Sequence, residues 1–288
     1  MSETNYPVAK QFNNMRLSNM LDFYHLGKEK RKRCEYLLNN NYADVNTLLK
    51  EGDLLTIIYD EKIDFIPEQK HIDIVYEDEY LLIVNKPAGL MVHPDSKDKS
   101  GTLVNYIAGF YKGVGINRSI KYLHRIDTDT SGLVIIAKDI LTESYFNYLI
   151  SVHKIKRNYL ALVHGVFSPL DGTISAPIGS DRHINGKRRV SKTGQTAITD
   201  YKTLKKLRHG NSLVMATLRT GRNHQIRVHF SYMGHPLLGD LMYGGKDLFI
   251  KRQALHSYSL DFYDPYTFEL RHVECQLPKD MERILWKQ

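Results

Sequence analysis

The chain has 288 residues, 42% hydrophobic and 25% charged, with 40 Lys plus Arg against 32 Asp plus Glu, a formal net charge of +8. That length buries a full core and leaves room for a small second module, and the basic balance favours a polyanionic partner. Two distant cysteines, Cys34 and Cys275, exclude a disulfide framework and a zinc signature, and no apolar run approaches membrane-spanning length.

Residues 1–70 read as a small α/β module. The charge run Lys28-Glu29-Lys30-Arg31-Lys32-Arg33 leads into residues 34–38, predicting a helix with one basic face. Such a face serves a solvated surface or an RNA-facing patch equally. Residues 48–53 form a turn into a strand at 54–59, and 64–69 read as a linker punctuated by Pro67. From residue 72 the pattern turns strand-rich. The apolar run 80–84 ends at the turn signal Asn85-Lys86-Pro87-Ala88-Gly89. Further strands are expected at 133–137, 159–164, 197–201 and 212–218, with helices at 102–110 and 141–150. A last helix is expected over 222–233, capped by Thr220-Gly221 and stopped by Gly234 and Pro236. Its spacing puts Ile226, Phe230 and Met233 on a core stripe, and Arg222 and Arg227 with neighbouring histidines on a polar face. The expected fold is α+β: a mixed, largely antiparallel sheet with flanking helices over residues 71–288, preceded by the α/β module.

Chemistry concentrates in His124-Arg125-Ile126-Asp127-Thr128-Asp129-Thr130-Ser131-Gly132, directly ahead of the apolar run 133–137. An acid at the lip of a buried strand is fixed by the scaffold yet reachable, as a nucleophile or general base must be. A calcium loop fits Asp127, Asp129 and Ser131 but fails at its twelfth position, where Lys138 stands in place of a glutamate. A metal-dependent phosphotransfer aspartate needs the apolar strand before the acid, and here it comes after. Residues 239–246 lack the register of a phosphate loop, and His224 with His229 lacks metalloprotease spacing.

The nine-residue string closely resembles the catalytic motif of the RluA-type pseudouridine synthases. Asn85 to Pro94 resembles the upstream motif of that family, and Arg157-Asn158-Tyr159-Leu160-Ala161-Leu162-Val163-His164-Gly165 its tyrosine motif. Thr220-Gly221-Arg222-Asn223-His224-Gln225-Ile226-Arg227-Val228-His229, followed by Gly234-His235-Pro236 and Gly239-Asp240, resembles its arginine motif. The matches span roughly residues 75–275. Departures are slight: Ile126 stands where leucine is usual, and Gly194-Gln195 where glycine-lysine is commoner.

The resemblance implies an isomerase that detaches a uracil from its ribose in RNA, turns it and rejoins it through carbon 5. It implies Asp127 as the essential nucleophile or base, Tyr159 against the target base and Arg227 paired with Asp127. Lys86, His124, Arg125, Arg222 and Ile226 are the expected substrate or RNA contacts. The reaction needs no metal or redox cofactor. The expected partner is ribosomal or transfer RNA, met by a cytoplasmic monomer, since the N-terminus carries no secretory leader pattern and nothing points to a membrane. The module at 1–70 faintly resembles a ribosomal-protein-type RNA-binding domain. The contrasting expectation is a non-catalytic RNA-binding or ribosome-assembly factor on the same fold.

Overall fold

The structure, a computed structural model, describes residues 2–96 and 99–286. The N-terminal module contains strand β1 (Ser2–Pro7), helices α1 (Leu17–Phe23) and α2 (Lys28–Arg31), and strands β2 (Cys34–Leu38), β3 (Asn41–Ala43) and β4 (Leu54–Tyr59). These strands form an antiparallel sheet in the order β1-β4-β2-β3. Residues 34–38 are therefore a strand, which corrects the expected helix. The helix set up by the charge run ends at Arg31, and Tyr36 then alternates inward opposite Ile57. The overlooked signal is Asn39-Asn40, both at positive φ (51° and 64°), which closes a two-residue hairpin onto β3.

Residues 60–73 are irregular. They lead to β5 (Ile74–Glu77), β6 (Leu81–Lys86), α3 (Leu103–Gly113), β7 (Lys121–Tyr122), β8 (Ser131–Ala137), α4 (Ile140–Ser151) and β9 (Lys156–His164). Next come β10 (Asp171–Ser175), β11 (Ile178–Ser180), β12 (Arg188–Val190), β13 (Ile198–Lys206), β14 (Asn211–Leu218) and α5 (Gln225–Tyr232). The chain closes with β15 (Leu255–Tyr263), β16 (Leu270–Glu274) and α6 (Lys279–Trp286). The main sheet runs β10-β13-β14-β9-β15-β8-β6-β5, with β7 added to β8 and β16 to β15. The β15–β8 pair is parallel and the other pairs are antiparallel, so the sheet is mixed and largely antiparallel as expected.

The apolar runs 81–84 of β6 and 133–137 of β8 are unbroken because both faces of the sheet are covered there. Leu81, Ile83, Leu133 and Ile135 point into a core shared with α4 and the N-terminal module, including Tyr6, Tyr24 and Leu55. Leu82, Val84, Val134 and Ile136 point the other way, into a core with α3, β9 and α5. The module is thus joined to the sheet by a continuous apolar core. Polar contacts reinforce the joint. Tyr6 Oη donates to Asp139 Oδ1 (2.5 Å), the buried cap of α4, and Tyr24 Oη donates to Pro265 O (2.8 Å). Lys30 Nζ pairs with Glu143 on α4 (2.7 Å). Helix α4 runs from this joint to the opposite side, where Ile150 and Ser151 line a large cleft.

Candidate active site

The Asp127 loop owes its position to three clamps. Gly132 at φ +112° lets β8 approach β15 so closely that a Cβ there would lie 2.2 Å from Ser257 O. The Thr128 carbonyl accepts from Gly89 N (3.0 Å) and from Lys86 Nζ (2.9 Å), and the Asp129 carbonyl accepts from Arg252 Nη1 (3.1 Å). Within the loop, Thr130 N donates to Asp127 O (3.0 Å).

Lys86 thus has a different place from the expected RNA contact. It is fully buried, and its Nζ donates to three carbonyls, those of Pro87 (2.8 Å), Leu90 (2.7 Å) and Thr128. Burial pulls its pKa down to about 7, against the Asp129 and Asp127 carboxylates. Lys86 ties the 86–90 turn to the acidic loop.

Helix α5 supplies the opposing wall. It begins at Gln225 rather than residue 222, because residues 220–224 are pinned as a loop. Thr220 Oγ1 donates to Gln225 Oε1 (2.8 Å), while Gln225 Nε2 donates to Ile198 O (2.9 Å). Met233 closes the helix and is 41% exposed, so it is not core, whereas Ile226 and Phe230 are buried as expected. Arg227 is buried too, so the expected polar face is packed inside rather than clear of the core. Its guanidinium is shared between two carboxylates. Nη1 donates to Asp127 Oδ2 (2.9 Å), while Nε and Nη2 fork onto Asp240 (2.7 and 3.0 Å). Burial works against the charge. Asp240 first and Asp127 second more than offset it, holding the guanidinium above its ordinary pKa. The Tyr243 ring lies beneath it, 4.9 Å from centroid to Cζ.

Asp127, Tyr159 and Arg227, dispersed in the sequence, line one cleft of about 770 Å³, with His124, Arg125, Arg222 and Ile226 around them. Five guanidiniums line it, those of Arg125, Arg157, Arg188, Arg222 and Arg227; among the described residues Asp127 is its one carboxylate. Tyr159 is buried in β9, and burial pushes its hydroxyl above the usual value, with the Arg157 charge opposing. His124 accepts from Ile135 N through Nε2 (3.3 Å), and burial drops its pKa to about 3, so it is a neutral wall residue. Arg125 is exposed at the rim, 3.4 Å from His93 Nε2. Arg222 Nε donates to Thr196 O (2.9 Å).

Sequence reading missed Arg157, Arg188, Asp240 and Tyr243. Arg157 opens the tyrosine motif, Arg188 sits in the basic run 187–189, and Asp240 follows the arginine motif, so these three carried a local signal and Tyr243 did not. The Nε atoms of Arg157 and Arg188 are buried with no hydrogen-bond partner among the described residues, leaving donor capacity at the cleft wall. Among the described residues no group of three or more His, Cys, Asp or Glu side chains gathers as a metal site would, and no helix is long and apolar enough to cross a membrane.

Residues 80–232, more than half of the chain, match the family model of RNA pseudouridylate synthases. The chain belongs to the RluA-type RNA pseudouridine synthases. It is 40% identical over 242 residues to the uncharacterized RNA pseudouridine synthase YhcT of Bacillus subtilis, covering 83% of this chain and 80% of that protein. It is 38% identical over 238 residues to the ribosomal large subunit pseudouridine synthase D of Buchnera aphidicola, covering 77% and 75%. Among solved structures, human RNA pseudouridylate synthase domain containing 1 superposes with a TM-score of 0.61 at 26% identity, over 73% of this chain and 84% of that one. As a pseudouridine synthase this chain is an isomerase, converting uridine to pseudouridine in RNA.

Proposed function

We propose that this enzyme isomerises uridines of large-subunit ribosomal RNA, with Asp127 as the reacting carboxylate. The names of relatives from Buchnera aphidicola and Neisseria meningitidis, at 37–38% identity, support the choice of RNA. The observation that carries the site assignment is a carboxylate that is alone in a cationic cleft among the described residues, anchored through one oxygen by Arg227.

The roles follow from the surroundings. A stacked base is out of reach, so the target uridine leaves its stack to enter the cleft. Arg125, Arg157, Arg188 and Arg222 face the phosphates on either side, while the Tyr159 ring and Ile226 offer the uracil an apolar seat. Asp127 uses Oδ2 for Arg227 and turns Oδ1 to the nucleotide as nucleophile or base. The bond from uracil N1 to ribose C1′ breaks and that from C5 to C1′ forms. The C5 proton leaves and N1 gains one, so composition is unchanged. The cleft is lined from one chain, and the enzyme is taken to act as a monomer. Residues 1–70 are taken as an RNA-binding-like module ahead of the catalytic domain at 71–288.

The test is a map of pseudouridines in total RNA from a strain lacking the gene, complemented with wild type or Asp127→Asn. Loss at large-subunit positions, restored by wild type alone, is expected. Loss confined to transfer RNA would overturn the choice of RNA, and rescue by Asp127→Asn would overturn the carboxylate.

A further inference from the structure

Arg227 faces two carboxylates, and the division of its hydrogen bonds is unequal. Asp240 takes the fork from Nε and Nη2, while Asp127 receives a single bond from Nη1. The Asp240 side chain is 1% exposed, so its charge acts at full strength on the guanidinium, whereas Asp127 is 20% exposed and open to the cleft. The backbone around Asp240 is fixed. Gly239 at φ +75° passes so close to β15's lead-in that a Cβ would lie 2.0 Å from Arg252 O, and the Asp240 carbonyl accepts from Gly245 N (2.8 Å).

From this division we propose that Asp240 is a positioning residue for the isomerisation: it neutralises Arg227, so that Arg227 anchors Asp127 without quenching it. The inference rests on Asp127 being the reacting group. As nucleophile or as base, Asp127 gives up negative charge in the reaction, and an uncompensated cation at 2.9 Å resists that loss. A guanidinium already matched by Asp240 offers geometry with little net field. Other groups face the pair. His224, at the lead-in to α5, lies 3.8 Å from Asp127 Oδ2, and Tyr243 underlies Arg227. Arg188 approaches from β12 and Tyr159 from β9, while Lys86 stands behind the loop.

The test compares Asp240→Asn, which keeps shape and loses charge, with Asp240→Glu, which keeps charge, on a uridine-containing ribosomal RNA transcript. For Asp240→Asn, kcat is expected to fall about 100-fold with KM nearly unchanged. The acid limb of its rate–pH profile should move about one unit lower, since Arg227 then favours the ionised Asp127 alone. Asp240→Glu is expected to lose rate but keep the limb in place. Should Asp240→Asn fail to fold, Asp240→Ser, which leaves room for water beside the guanidinium, gives the same comparison. An unshifted limb in the neutral variants, or equal shifts in neutral and acidic ones, overturns the proposal. Full activity in Asp127→Asn would instead overturn the reading on which it rests, and that outcome is separate.

Discussion

The N-terminal joint and the cleft are both rich in cations and aromatic rings, yet they use them in opposite ways. At the joint four of the five cations of the run 28–33 have partners within the protein. Lys30 pairs with Glu143, Arg31 with Asp22 and Lys32 with Glu29, while Arg33 lies over the Tyr59 ring. Its tyrosines pack on one another, Tyr6 and Tyr24 both stacking on Tyr266. In the cleft Arg227 is answered by Asp127 and Asp240, while Arg125, Arg157, Arg188 and Arg222 have no ion-pair partner among the described residues. A net charge of +8 therefore says little until each cation's partner is known. Cations answered internally hold the fold together, and those left unanswered are available to a polyanion.

The contrast can be broken or sharpened by experiment. The largest effect is expected at Asp127: Asp127→Asn should lower isomerisation on the order of 10⁴-fold while the variant stays folded and binds RNA. Acid comes next, because it strikes a strand common to both regions. His256 sits on β15, whose Leu255 lines the cleft and whose Leu260 and Phe262 enter the joint core. It is fully buried between Ser131 Oγ (2.9 Å) and Cys275 Sγ (3.3 Å), and burial lowers its pKa to about 4. The unfolded chain binds this proton from about pH 6.5 downward and the folded one only near 4. Stability should fall across that window, by about 3 kcal/mol in full. Urea unfolding of His256→Gln against wild type at several pH values should show a shallower loss.

Tyr6→Phe tests the joint alone. Removing the hydroxyl that serves the buried Asp139 should cost about 2 kcal/mol of unfolding free energy, with kcat unchanged. Arg188→Gln tests the cleft alone. RNA affinity should drop roughly 10-fold, and the salt dependence of binding should lose about one unit of slope, measured by titration at several ionic strengths. The smallest effect is expected at Lys32→Gln, on the exposed and internally paired part of the run: no change in salt slope. A slope change equal to that of Arg188→Gln would erase the distinction between the regions.

What the sequence revealed follows the same physics. Strands β6 and β8 were legible because burial on both faces leaves an unbroken apolar run. Strand β15 lies between β9 and β8 at the middle of the sheet and was not legible, because His256, Ser257 and Ser259 occupy buried positions. A polar residue that packs inside looks like a loop residue until its partners are seen. Strand β2 was misread because the charge run ahead of it starts a helix that tertiary pairing cuts short. Asp127 was legible as an acid at the lip of a buried strand, whereas its grouping with Tyr159 and Arg227 was legible only through resemblance, since Asp127 and Arg227 meet across 100 residues of chain. Asp240 escaped because Arg227 was expected to pair with Asp127 alone, and only its burial in the fold calls for a second carboxylate.

Helix α4 carries a consequence for how this chain can vary among its descendants. One end is capped by Asp139, tied to Tyr6, and the other presents Ile150 and Ser151 to the cleft. Its 12 residues span about 18 Å, and each added or deleted residue turns everything beyond it by about 100°. Substitutions along its exposed side are therefore open to drift, whereas an insertion or deletion within it would turn the cleft wall away while leaving the cap intact. Its length should be inherited more faithfully than its letters.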